Sequence, residues 1–233
     1  MDSELKRIKY PRTFNLPFSQ SDSSDDVWFE NTSFFEGKEI VMLEKADGEC
    51  TSIYPDGYVH ARSIDTDHHP SRTWIKKFAA QFAHDIPKKM RICGENVFAY
   101  HSIFYTELPS YFLTFGIYEL DKCLSWDETE ELCSLLGLET VPLIYRGIWD
   151  EKLIREKWNG KGAYPTYGSS IINPKYPKDF KPCLAEGYVI RLVDSFDISQ
   201  FQKSVGKYVR KNHVSTSVHW MSEKVVPNLL KTD

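Results

Sequence analysis

Where a period emerges in the order of apolar and polar positions along this chain, it predicts an element. Glu39-Ile40-Val41-Met42-Leu43-Glu44 is a short apolar run closed by acids, and it reads as a strand. It runs into Lys45-Ala46-Asp47-Gly48, which has turn chemistry. Thr51-Ser52-Ile53-Tyr54 and Tyr58-Val59-His60-Ala61-Arg62 flank Pro55-Asp56-Gly57, which predicts a hairpin. Trp74, Phe78 and Phe82 recur every fourth residue beside Ile75 and Ala79. That spacing predicts a helix starting at Pro70-Ser71 and stopping at Asp85-Ile86-Pro87. Arg91-Ile92-Cys93-Gly94 and the run from Tyr111 to Tyr118 return to strand character. Ser125 and Glu128 have capping-box spacing ahead of an apolar stripe of Leu132, Leu135 and Leu136.

The period weakens elsewhere. Asp150 to Trp158 reads as a short helix, and Gly160 to Pro182 as a long loop over a site. Gly187 to Leu192 is a strand, and Lys203 to His213 is a basic segment. The first part of the chain, to Asp26, reads as polar and irregular, and Ser19 to Asp26 as a loop. Strands and helices mix without strict β-α-β alternation. The fold class expected is α+β, with mostly antiparallel sheets and flanking helices, as one domain over residues 1–233.

Composition narrows the picture. The chain has 233 residues, 41% of them hydrophobic and 14% aromatic, so a real core is expected and a disordered or collagen-like chain is excluded. No apolar run approaches the roughly 18–20 residues of a membrane span, and the charged N-terminus shows no secretory signal. Five cysteines at irregular spacing, with no C-x-x-C pair, suit reduced thiols inside a cell. A net charge of -4, from 29 basic and 33 acidic side chains, argues against bulk adhesion to nucleic acid.

Four short motifs carry candidate chemistry. Lys45 ends an apolar strand just before an Asp-Gly turn, a rigid place to present an amine to a cleft. Glu95 follows Gly94, whose missing side chain lets a backbone come close to a ligand. Glu186-Gly187 opens an apolar strand, and Lys207-Tyr208-Val209-Arg210-Lys211 is a basic strand. Each is weak alone: Lys45 could be a surface lysine and the basic strand a solvated edge.

In order, Lys-x-Asp-Gly, Gly-Glu, an aromatic strand, Glu-Gly-x-Val and a basic strand resemble the covalent nucleotidyltransferases. The chain most resembles the ATP-dependent RNA ligase family in its short bacteriophage and bacterial form. Tyr10 to Pro17, His68-His69-Pro70-Ser71-Arg72 and Lys207 to His213 add to the likeness. The resemblance implies a ligase-type adenylyltransferase domain, with no separate oligonucleotide-binding domain, that joins 5'-phosphate and 3'-hydroxyl ends. Lys45 would take AMP from ATP, pass it to a 5'-phosphate, and a 3'-hydroxyl would then expel it. Lys45 and Lys207 would be catalytic. Glu44, Arg62, Glu95 and Phe115 would join Lys45, Glu186 and Lys207 in binding ATP and AMP, with Glu44 reading adenine and Glu95 the ribose. Glu186 would hold Mg²⁺, with Mn²⁺ as a substitute. Arg62, His68, His69, Arg210 and Lys211 would contact nucleic acid. Partners would be RNA ends, in a nicked duplex or hybrid among other forms, and a partner protein supplying specificity. The expected place is the cytoplasm of a bacterium or phage-infected host. Alternatives are a DNA ligase, a capping-type nucleotidyltransferase, or a non-catalytic binder of nucleic-acid ends.

The chain departs from that pattern in places. Val209 stands where many ligases have a second lysine, and Arg210 faces away from Lys207 on a regular strand unless a bulge brings it round. Cys50 and Gly116 replace residues common in relatives, and Phe112 competes with Phe115 for the base. His68 and His69 read first as residues that pack before the helix, next as a contact to a nucleic-acid end, and last as metal ligands, since adjacent residues rarely chelate one ion on a regular element.

Overall fold

In the computed structural model, which describes residues 6–64, 69–168, 181–212 and 225–232, the apolar run at Ile40 to Leu43 lies inside a five-stranded sheet. Strands are numbered along the chain. This sheet runs β1 (Phe14–Asn15), β15 (Val205–Val209), β13 (Gly187–Leu192), β2 (Glu39–Lys45) and β10 (Leu143–Ile148). A second sheet runs β14 (Phe196–Asp197), β8 (Lys122–Cys123), β7 (Phe112–Glu119), β5 (Met90–Asn96), β3 (Glu49–Ile53) and β4 (Val59–Ala61), with β9 (Glu139–Thr140) on β7. A small third sheet joins β12 (Lys181–Pro182), β11 (Thr166–Gly168) and β6 (Phe104–Tyr105). Pairing is antiparallel except at β1 with β15 and β7 with β9. The architecture is α+β, as the sequence pattern predicts.

The first two α-helices cover one face of the second sheet, and the third packs on the first sheet, with Ile154 among Ile40, Met42 and Ile190. α1 (Arg72–Phe82) buries Ile75, Ala79 and Phe82 against Ile53, Ile92 and Ile117. α2 (Trp126–Leu136) begins at the expected capping box: the Ser125 hydroxyl accepts from the Glu128 N–H, and the Glu128 carboxylate accepts from the Ser125 N–H. Its buried side is Trp126, Thr129 and Cys133, with Leu132 and Leu136 half-buried, while Leu135 is 76% exposed. The expected stripe was therefore rotated by one position. α3 (Glu151–Lys157) is capped by Asp150, whose carboxylate accepts from the Leu153 N–H.

Several strands carry no periodic signal, and β11 and β12 stand inside the stretch expected to be a long loop. β10 follows Pro142, exposes Leu143 and Ile148, and is stabilised by its pairing to β2. β1 is two residues long and lies in the segment expected to be irregular. Both owe their strand form to a neighbour, and local pattern cannot report that. Residues 169–180 of the expected long loop, His68, and His213 at the end of the basic segment lie outside the described residues.

Candidate active site

The two larger sheets face each other across a cavity of about 650 Å³, a size suited to a nucleotide-sized ligand. Register places its polar groups. Gly187 pairs with Lys45 on one side and Val209 on the other, and Val189 pairs with Leu43 and Lys207. Strand alternation then puts Leu43, Lys45, Val189 and Lys207 on one face of the sheet, and all four line the cavity. Gly187 is required by contact as well as by register. A Cβ there would sit 1.9 Å from the Tyr208 carbonyl oxygen.

Lys45 stands at the last position of β2, with Nζ 2.8 Å from Glu186 Oε2. Glu186 is buried at the entrance to β13. Burial alone would lower the Lys45 pKa, but the charges of Glu186 and Glu95 outweigh it and hold the amine as an ammonium ion. The turn after Lys45 is pinned from several sides. Asp47 Oδ2 accepts from the N–H groups of Ser102 and Ile103, both at 2.7 Å. The Gly48 N–H donates to Glu95 Oε1 at 3.2 Å. A side chain on Gly48 would meet the Asn96 carbonyl at 2.6 Å, so the turn between β2 and β3 can pass this close to the end of β5 only through glycine.

The carboxylates outnumber the amine. Burial, reinforced by the charge of Glu186, pushes Asp47 up to about 7. Burial also pushes Glu95 up to about 8, with Lys45 opposing and Glu186 and Asp47 reinforcing. Glu44 is raised to about 7 by burial, although its Oε2 accepts from the Ala163 N–H at 2.6 Å. Such surplus buried negative charge marks a place for cationic or proton-rich chemistry.

A bulge sends the two phenylalanines to different places. Cys93 pairs with Gly116 and Gly94 with Thr114, so Phe115 has no partner on β5. The bulge turns its ring into the cavity, where the ring of Tyr10 meets it edge-on at 5.1 Å. Phe112 is fully buried on the helix side, against the position of Gly94.

Of the other expected residues, Arg62 lines the cavity, and its buried Nε has no hydrogen-bond partner. Arg210 turns away. Its guanidinium donates to the carbonyls of Ala185, Leu184, Lys211 and Asn212. No bulge brings it beside Lys207, because β15 pairs in unbroken register through Val209. Lys211 is exposed in the turn beyond that strand. His69 Nδ1 lies 2.6 Å from the Ser71 hydroxyl ahead of α1, and His69 does not line the cavity.

The matched family is the RNA ligases, over residues 38–209. The chain belongs to the RNA ligase family. Solved structures agree on the fold. A variant of Naegleria gruberi RNA ligase in its apo form has 15% identity and a TM-score of 0.50, covering 77% of this chain and 51% of that one. A variant of the same ligase with ATP and Mn has 14% identity and a TM-score of 0.51, covering 77% and 52%. The chain thus spans about half the length of those structures. A comparison with curated proteins gives no match.

Within this RNA ligase fold, Arg191 escapes motif reading, and Asp47, part of the Lys-x-Asp-Gly motif, is buried without lining the cavity. Asp47 reads as turn chemistry, yet it is buried and held by two main-chain donors. Arg191, also buried in the cavity wall, donates to the carbonyls of Phe115, Leu124 and Leu192 and so ties β13 to the second sheet. A lone arginine inside an apolar strand was the available signal for it.

Proposed function

We propose that this protein is an ATP-dependent RNA ligase that joins 5'-phosphate to 3'-hydroxyl ends through AMP held on Lys45, with residues 1–233 acting as one adenylyltransferase domain. The observation that carries this reading is the placement of Lys45. Its amine enters the cavity 2.8 Å from Glu186, with Lys207 on the same sheet face and Phe115 on the opposite wall.

Lys45 Nζ attacks the α-phosphorus of ATP and the bond to the β-phosphate oxygen breaks, releasing pyrophosphate. Lys45 must first shed a proton, and Glu186 is the acceptor within hydrogen-bond reach. A 5'-phosphate oxygen of RNA then attacks the bound AMP, the P–N bond breaks and Lys45 regains a proton. The 3'-hydroxyl finally attacks the activated 5'-phosphorus, a phosphodiester forms and AMP leaves. Catalysis here is positioning and charge neutralisation. Lys207 and Arg62 supply cations to the phosphates, Phe115 offers a face to the adenine, and Glu95 faces the ribose.

The residues also fit a divalent cation bound together with phosphate. Among the described residues, no cluster of three or more His, Cys, Asp or Glu is arranged to hold a metal. Mg²⁺ commonly takes one or two carboxylates plus substrate phosphates, and Glu186 would hold it through the oxygen not bonded to the Lys45 amine. Mg²⁺ or Mn²⁺ would neutralise phosphate charge and lower the proton affinity of nearby groups.

RNA ends are the substrate this reading names, with nicked duplexes or hybrids and a specificity-giving partner protein as finer proposals. We assign the cytoplasm on the five unpaired thiols and the need for ATP. No helix among the described residues is long and apolar enough to cross a membrane. The test is sealing of 5'-phosphorylated RNA to a 3'-hydroxyl strand, run beside DNA and hybrid equivalents. ATP-dependent joining of RNA with transient 5'-adenylated RNA is expected. Preference for an all-DNA nick, or use of GTP in place of ATP, contradicts it.

A further inference from the structure

The segment before the matched family region is part of the cavity. β1 pairs in parallel with β15, Asn15 opposite Lys207, and the Leu16 N–H donates to the Lys207 carbonyl at 2.8 Å. The chain then loops back. The Asn15 N–H donates to the Val27 carbonyl, and the Phe29 N–H to the Asn15 carbonyl. Gly206 lets this strap lie close, because a Cβ there would meet the Phe29 ring at 2.9 Å and Leu16 at 3.1 Å.

The outcome is one specific contact. Asp26 Oδ1 accepts from Lys207 Nζ at 2.8 Å, with the side chains 15% and 17% exposed. The other Asp26 oxygen accepts from the Ser21 hydroxyl, so the carboxylate is itself held. An ammonium carries three donors, and this pair uses one, leaving two for the cavity. The pair is mostly out of water, where a lysine's four-carbon stem would otherwise sample many rotamers.

We propose that Asp26 is a positioning residue that fixes the Lys207 ammonium for the phosphate of ATP. This rests on the role given to Lys207 above. Its effect should appear as charge develops on the reacting phosphate, more than in ground-state binding of ATP. A strap that merely blocked the site would show the reverse, because freeing Lys207 would then speed the reaction.

The test is the rate of covalent AMP transfer to Lys45, measured with ATP labelled at the α-phosphate, for wild type, Asp26→Asn and Asp26→Glu, with melting temperatures for each. The expected result is a maximal rate constant of AMP transfer about 10- to 100-fold lower for Asp26→Asn, with the half-saturating ATP concentration within about threefold and melting unchanged, and partial recovery in Asp26→Glu. A rate in Asp26→Asn equal to or above that of wild type overturns the proposal. So does a loss that tracks a fall in melting temperature and is not recovered by glutamate. Failure of the wild type itself to form an adduct counts against the ligase reading instead.

Discussion

Glu44 shows how a single side chain can be legible as important while its physical situation is not. The sequence places it beside Lys45, but strand alternation sends neighbours to opposite faces, and its carboxylate is fixed by the Ala163 N–H. Its raised pKa, about 7 in the fold against about 4.3 in an unfolded chain, makes the folded state bind more protons over that window. Its contribution to stability is therefore full below about pH 4, declines through the window and is lost above pH 7. Glu44→Gln should be more stable than wild type at pH 8 by up to about 3 kcal/mol, a gap that closes as pH falls. Urea unfolding at several pH values checks this. Asp47 gives a second residue-scale expectation. Asp47→Ala leaves the Ser102 and Ile103 N–H groups without their acceptor, so it should cost about 1–3 kcal/mol in the same unfolding measurement.

At the scale of elements, strands that carry their own apolar run were readable, and those made by pairing were not. Ile40 to Leu43, Ile92 to Gly94 and Gly187 to Leu192 announced themselves, whereas β1 and β10 are strands only because β15 and β2 lie beside them. The Phe115 bulge was equally silent, since it depends on Cys93 pairing with Gly116 while Gly94 pairs with Thr114. What could be read was the order of the motifs. What could not was the strap, because Ser21 and Asp26 look like any polar loop until β1 docks on Gly206. Gly187→Ala tests the element-scale account. The clash with the Tyr208 carbonyl should force β13 and β15 apart, giving an insoluble protein or a melting temperature well below wild type. A melt indistinguishable from wild type would mean that the register between these strands is not what positions Lys45 and Lys207.

For the whole molecule, the net charge of -4 is not offset at the cavity. Its lining sets Arg12, Lys45, Arg62, Arg191 and Lys207 beside Asp25, Asp26, Glu44, Glu49 and Glu95, and the Arg191 guanidinium already donates to three carbonyls. Few phosphates can be neutralised by so local a set. RNA affinity should therefore fall with salt along a shallow slope, about -0.7 for each phosphate contacted, which binding titrations across salt concentrations would measure. Everything else in the account depends on one covalent bond. The direct measurement is mass spectrometry of the protein after incubation with ATP and Mg²⁺, with peptide mapping of the product. A single AMP group on Lys45 is expected, absent from Lys45→Ala. An unmodified protein, or AMP on another residue, would contradict it.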